Sequence, residues 1–292
     1  MIKSIWDLRI CPLTFDFAVW LAIVDCYRQV RGDKEGIDMT IRVDGFRRLT
    51  PRDRLTTDDE KLWRLKSIVL DVCELVPSIH TLAVTWQDRG PFDYPRDYLK
   101  TGIPYTAKTA LDFWYRSASP LVFRSPSFAK TLLPVKSPYV TLTIRRSWHF
   151  AERNVDLNDW FKFYTYLRSE GHTVVVVPDY EDVLGEKAYE KFEWNVYVPA
   201  ALDIRLRLCL YENAIMNVCS SNGPCAIMFF ANTPIMQFDQ LRGATISEAE
   251  WKKYNGFPVG GQFPWSRPDQ RMTWKDSTFE NLVGEWKNLK LQ

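Results

Sequence analysis

The segment "AIMNVCSSNGPCAIMFFANTPIMQF", residues 214 to 238, contains the pattern that decides the fold. Its apolar runs predict a buried strand over 214–219, a short helix over 225–231 and a further strand over 234–238. Small polar residues join the first strand to the helix. This order of elements is typical of a parallel sheet, because two parallel strands need a crossover connection between them.

The same alternation continues upstream of this segment. Residues 139–144 are β-branched and apolar, Asp156 can cap a helix that ends before Gly171, and 172–177 contains four consecutive valines. Such a valine run is typical of a parallel strand that is covered on both faces. With a further helix over 203–212, the second half predicts a doubly wound α/β domain.

The first half shows a weaker βα alternation. Apolar spacing predicts helices over 12–27 and 59–70, and strands over 37–43 and 80–86. Prolines and serines interrupt the pattern between the two halves. We therefore predict a first domain over 1–125, a linker over 126–137 and a second domain over 138–292.

Composition excludes several classes of protein. The net charge of the 292 residues is only +2 and both signs are interspersed, which argues against a nucleic-acid partner. Six cysteines without a CxxC pair, beside only three histidines, predict a reduced cytoplasmic protein without a Cys/His metal site. No apolar stretch reaches about 18 residues, so we expect no transmembrane segment.

The loop after the 214–219 strand is the first candidate site. It consists of Ser220, Ser221, Asn222, Gly223 and Pro224. Pro224 suits the first helical position, so that the open backbone amides at the helix start can bind phosphate. The alternative is an ordinary turn in which Ser and Asn act as caps.

A second candidate follows the strand over 139–144, where Arg145 and Arg146 precede Ser147 and Asn154. Loops after parallel strands meet at one edge of a sheet, so one arginine can clamp a diphosphate against the amides of the first loop. Alternatively, the arginines pair with nearby carboxylates in a solvated turn, and Ser147 and Asn154 organise the loop. His149 either contacts the same ligand or packs against its aromatic neighbours.

These segments resemble the donor-binding half of GT-B glycosyltransferases, particularly heptosyltransferase-like and fucosyltransferase-like members. The resemblance covers about residues 138 to 240 and rests on Arg145, Ser147 and the small-Gly-Pro loop over 221–224. The acidic residue that usually precedes this triplet is replaced by Ser220 or Ser221. The resemblance implies two Rossmann-like domains facing each other across a cleft, the first binding the acceptor and the second a nucleotide-diphosphate sugar.

The resemblance also implies a carboxylate base early in the first domain, for which Asp16 is the candidate; Asp7 and Asp44 are weaker ones, and a capping role for Asp16 is the alternative. No D-x-D triplet occurs, which favours transfer without a metal or other cofactor. The expected partners are a nucleotide-sugar donor and a glycan, lipid-linked or small-molecule acceptor. A sugar-nucleotide epimerase and a noncatalytic nucleotide- or sugar-binding protein remain alternatives.

Overall fold

The computed structural model describes residues 1–48, 50–148, 150–243 and 247–290. Contacts divide the chain into two compact units. The first comprises Met1–Arg124 with Lys253–Gly256, and the second comprises Ser125–Lys252 with Phe257–Gln292.

The first unit is built on a three-stranded parallel sheet in the order β1-β2-β3. Its elements are β1 (Ile2–Asp7), α1 (Asp16–Val30), β2 (Ile37–Arg42), α2 (Pro51–Leu55), α3 (Asp58–Arg64), α4 (Asp71–Cys73), β3 (Ile79–Thr85), α5 (Tyr98–Thr101) and α6 (Ala107–Trp114). A π-helical turn over Leu65–Leu70 joins α3 to α4, so the predicted second helix is one longer helical segment. The predicted strands are present as β2 and β3, and β1 is an additional strand that the pattern did not reveal.

An aromatic cluster anchors α1 to this sheet. Trp6 of β1 packs against Phe17 and Trp20 of α1, with ring centroids 5.2 and 6.4 Å apart, and all three side chains are fully buried. The helix begins at Asp16, later than Pro12, because residues 8–15 form an irregular loop after β1. This loop positions Asp16 at the first turn of α1.

The second unit is built on a five-stranded parallel sheet in the order β5-β4-β6-β7-β8. Its elements are β4 (Val140–Thr143), α7 (Leu157–Ser169), β5 (Val174–Val177), α8 (Tyr180–Leu184), α9 (Pro199–Leu202), α10 (Ile204–Glu212), β6 (Met216–Ser220), α11 (Cys225–Phe229), β7 (Ile235–Phe238), α12 (Glu248–Asn255), β8 (Gln270–Met272) and α13 (Phe279–Lys290). The last residues of α12, from Lys253, are grouped with the first unit. A parallel bridge joins Val176 to Val196 at the outer edge of β5. Counting this bridge as the third strand in chain order, the sheet reads 3-2-1-4-5-6, which is the Rossmann order.

The four valines of β5 and all residues of β4 are buried, as the apolar runs predicted. Asp156 caps α7 by accepting from the Asn158 N–H, and Asp203 caps α10 in the same way through Arg205 and Leu206. Gly171 has φ +86 just after α7, a conformation that glycine adopts without strain. Local capping and burial on both faces therefore account for these boundaries.

Residues 126–137, where the sequence suggested a linker, lie within the second unit. They include a 3-10 helix over Ser127–Leu132, in which Ala129 is fully buried against Leu206 and Cys209 of α10. The Tyr197 hydroxyl donates to the Leu132 carbonyl at 2.7 Å. Among all the described helices, none is both long and apolar enough to cross a bilayer.

Candidate functional site

The loops after β4 and β6 meet at the carboxyl edge of the second sheet. Arg153, at the end of the β4 loop, donates from Nη2 to the Ser221 carbonyl at 3.2 Å and to Ser221 Oγ at 3.4 Å. Strands β4 and β6 are neighbours, and the strand order reverses direction between them. Ligands of doubly wound sheets bind in the crevice outside this point, so the Arg153–Ser221 contact marks the candidate site.

The side chains of Arg145 and Arg146 have different surroundings. Arg145 is 8% exposed and its Nη2 donates to the Phe150 carbonyl at 3.4 Å. Arg146 is partly exposed and forms a 3.1 Å ion pair with Glu186, whose side chain is 80% exposed. Arg153, further along the same loop, is the arginine that contacts Ser221 in the β6 loop, and the sequence pattern did not single it out.

Ser147 and Asn154 hold the β4 loop in shape. The Ser147 N–H donates to Asn154 Oδ1 at 2.8 Å, and Asn154 Nδ2 donates back to the Ser147 carbonyl at 2.9 Å. Ser147 Oγ also donates to the buried Glu181. These contacts correspond to the loop-organising alternative.

The β6 loop differs in detail from the expected amide nest. Pro224 lies one position before the helix, which begins at Cys225. The Cys225 N–H donates to the Asn222 side chain and carbonyl at 3.1 and 3.2 Å, and the Ala226 N–H donates to the Gly223 carbonyl at 3.0 Å. These amides are therefore engaged within the turn. Among the described residues, the N–H groups of Asn222 and Gly223 have no acceptor, so the donors open to a ligand lie earlier than expected.

Buried polar atoms accompany this loop at the ends of β6 and β7. Ser220 Oγ, Asp239 Oδ2 and Gln240 Nε2 have no hydrogen-bond partner within the described ranges. Asp239 follows β7 and accepts through Oδ1 from the Ser277 N–H at 2.9 Å. Burial raises the pKa of Asp239. Sequence reasoning missed Asp239 and Gln240, although their position directly after a buried strand was a usable signal.

A second polar group lies at the end of β5. Asp179 caps α8, and burial together with the neighbouring Glu181 charge raises its pKa to about 6, against lowering contributions from Arg207 and Arg145. Glu181 accepts from the Trp148 N–H at 3.0 Å and from the Tyr180 hydroxyl at 2.6 Å. The β4 and β5 loops are thus fixed to each other.

These two loops and Arg242 enclose a cavity of ≈ 640 Å³ in the second unit. Its walls include Arg146, Ser147, Trp148 and Asn154 from the β4 loop, and Glu181 from α8. Cavities of this size hold small organic ligands. The candidate site therefore combines a cationic contact at the β6 loop with a cavity on the β5 side of β4.

In the first unit, Asp16 is exposed at the start of α1 and accepts from Thr14 Oγ1 at 2.8 Å. Asp7 is fully buried and is bound by Arg9 and by the Tyr98 hydroxyl, the latter at 3.1 Å. Asp44 pairs with Arg42 at 2.8 Å. Asp7 is closed off as a solvent-accessible base, whereas Asp16 is accessible.

His149 lies outside the described residues. Across the described part of the chain, no group of three or more His, Cys, Asp or Glu side chains is arranged to hold a metal ion.

Comparison with known proteins gives structural matches only. No protein-family model matches the chain, and no curated protein matches its sequence. The crystal structure of a family 9 glycosyl transferase from Veillonella parvula matches with a TM-score of 0.56 at 11% identity, covering 99% of this chain and 97% of that chain. The structure of ADP-heptose LPS heptosyltransferase II from E. coli matches with a TM-score of 0.53 at 10% identity, covering 100% and 99%. At these identities the likeness establishes the fold, and this chain therefore has the GT-B glycosyltransferase fold that its sequence predicted.

Proposed function

We propose that this protein transfers a sugar from a nucleotide-diphosphate sugar to the hydroxyl of an acceptor without a metal ion. The observation that carries the proposal is the contact between Arg153 and Ser221 at the point where the strand order reverses. This contact places a guanidinium beside the β6 loop, whose Asn222 and Gly223 amides have no acceptor among the described residues. A guanidinium with open amides is the donor set that a diphosphate needs.

In the proposed reaction, the acceptor oxygen bonds to the anomeric carbon of the sugar, and the bond from that carbon to the diphosphate oxygen breaks. The leaving nucleoside diphosphate keeps the electron pair of that bond. Arg153 and the two amides stabilise its growing negative charge, which is the task that a metal ion performs in other transferases. The acceptor hydroxyl proton passes to a carboxylate base, for which we propose Asp16 because it is exposed at the start of α1.

The polar atoms at the ends of β6 and β7 support a ligand at this edge. A buried polar group without a partner costs about 1 to 3 kcal/mol. Ser220 Oγ, Asp239 Oδ2 and Gln240 Nε2 are three such atoms on neighbouring strand ends. Phosphate oxygens and sugar hydroxyls are groups that would satisfy them.

The test is a thermal-shift panel with UDP, GDP, ADP, CMP and NAD, followed by hydrolysis of the matching nucleotide sugar in the presence of EDTA. We expect a nucleoside diphosphate to stabilise the protein, by about 2.7 kcal/mol at a hundredfold excess over Kd, and EDTA to leave hydrolysis unchanged. Binding without hydrolysis or transfer would favour a noncatalytic nucleotide-binding protein. Absence of any diphosphate binding would refute the proposal.

A further inference from the structure

Trp148 is a large apolar side chain that the fold leaves accessible inside a cavity. Its side chain is 55% exposed and lines the ≈ 640 Å³ cavity between the β4 and β5 loops. Single exposed apolar residues are common on surfaces. An exposed indole in a concave site is different, because aromatic residues that line such sites contact planar or ring-shaped ligands.

The backbone that carries the indole is held in place before any ligand binds. Its backbone N–H donates to the buried Glu181, and the preceding Ser147 is fixed by both Glu181 and Asn154. A Cβ added at Gly185 would lie 3.6 Å from Trp148 Cζ3 and 2.9 Å from the Glu181 carbonyl. One edge of the indole therefore lies close to Gly185, which restricts its movement on that side.

The charge of the cavity disfavours a phosphate as its occupant. Its walls carry the carboxylates of Asp156, Glu181, Asp182 and Glu186 against the guanidinium groups of Arg146 and Arg242. The two innermost carboxylates are also already occupied. Glu181 accepts from Ser147, Trp148 and Tyr180, and Asp182 accepts from the Ala188 and Tyr189 N–H groups at 2.9 and 3.2 Å. Few acceptors remain for the many hydroxyls of a sugar, whereas the face of an aromatic ring needs none.

We propose that Trp148 is the stacking platform for the nucleobase of the donor, and that this cavity reads the base. The inference rests on the proposed function, which puts the diphosphate at the β6 loop. Strand β4 lies between β6 and β5, so the two sites are separated by about two strand spacings, or about 9.6 Å. A nucleoside is long enough to join them.

The test is calorimetric titration of Trp148→Ala and Trp148→Phe with UDP, GDP and ADP, and with inorganic pyrophosphate as a probe without a base. Trp86→Ala is the matched control, because Trp86 is 70% exposed and lies in the first unit just after β3. We expect Trp148→Ala to weaken the preferred nucleoside diphosphate roughly five- to hundredfold and to leave pyrophosphate binding unchanged. Trp148→Phe keeps most of the affinity, and Trp86→Ala keeps all of it.

Three results would overturn the inference while leaving the proposed function intact. The first is unchanged nucleoside diphosphate binding by Trp148→Ala. The second is an equal loss of pyrophosphate binding, which would make Trp148 a support for the loop. The third is a loss for the nucleotide sugar alone, which would mean that the sugar ring stacks there. If the parent protein binds neither pyrophosphate nor any nucleoside diphosphate, the proposed function itself fails and the inference fails with it.

Discussion

Replacing Arg153 by alanine separates a ligand-binding role from a structural one. In the protein alone, the Arg153 guanidinium donates to two neutral oxygens of Ser221, the carbonyl at 3.2 Å and Oγ at 3.4 Å. Contacts of this kind contribute about 0.5 to 1.5 kcal/mol each to stability. A charge-assisted contact with a phosphate is stronger, about 1.5 to 3 kcal/mol, because its acceptor is ionised. Arg153→Ala should therefore weaken nucleoside diphosphate binding roughly ten- to hundredfold and lower the free energy of unfolding by a smaller amount.

Arg267→Ala is the matched control for this measurement. Arg267 lies just before β8, at the opposite edge of the same sheet, and it pairs with a partly exposed Asp269 at 2.6 Å; such surface pairs are worth about 0 to 1 kcal/mol. We expect this variant to change neither binding nor stability appreciably. Arg153→Lys keeps the charge but not the planar fork, so its affinity should fall between those of the parent and the alanine variant.

Calorimetry with the preferred nucleoside diphosphate gives the affinities, and urea denaturation gives the free energies of unfolding. Parent-like binding by Arg153→Ala would refute the assignment. An equal loss of affinity in Arg267→Ala would also refute it, because the effect would then come from general charge and not from the β6 loop contact.

Three further predictions concern other parts of the molecule. Asp16→Asn should lower the transfer rate about 10²- to 10⁴-fold with little change in nucleotide affinity, because a base acts on the acceptor and not on the nucleotide. Turnover gives the rate and calorimetry gives the affinity, and an equal loss of both would indicate a folding role. Gly223→Val should abolish diphosphate binding, because the valine side chain would block the approach of a phosphate to the backbone. Its melting temperature should match that of the parent, because Gly223 does not have the positive φ that valine cannot adopt. Retained binding would exclude a close approach of phosphate to this backbone. Burial raises the pKa of Asp179 from 3.8 to about 6, so its ionisation costs folding stability as pH rises through this range, by about 3 kcal/mol in all. Asp179→Asn keeps a capping side chain and should raise the urea midpoint at pH 7.5 but not at pH 4; an equal shift at both values would contradict this cause.

The elements that the sequence predicted well are those whose stability is local. Strand β5 is a run of valines, and α7 has its own capping residue in Asp156, so neither needs information from distant residues. Strand β1 was missed because its polar side chains form hydrogen bonds with residues that are distant in the sequence. Ser4 Oγ donates to the Tyr94 carbonyl and Asp7 accepts from Tyr98, each about 90 residues away. A window along the sequence shows these residues only as polar interruptions.

The meeting of the β4 and β6 loops could be predicted from the sequence, but the side chain that joins them could not. Parallel topology alone brings the β4 and β6 loops together, so the region followed from the pattern of strands. Which arginine reaches Ser221 depends on the path of the β4 loop, where a 3-10 turn over Ala151–Arg153 turns the third arginine toward the β6 loop. No periodicity marks that turn, and Arg145 and Arg146 were therefore equally plausible from sequence.

The close packing around Arg153 indicates why its position is well defined. A Cβ added at Gly243, in the loop after β7, would lie 3.0 Å from Arg153 Cγ and 2.6 Å from Glu152 Cγ. The loops after β4, β6 and β7 thus meet at Arg153, whose side-chain stem lies against Gly243 and whose guanidinium donates to Ser221. A cation fixed in this way loses little conformational freedom when it binds an anion. The entropy cost of binding is therefore small, and little of the free energy of the contact is offset by it. A side chain at Gly243 would displace that stem, so the geometry of the phosphate contact depends on a glycine that has no chemistry of its own.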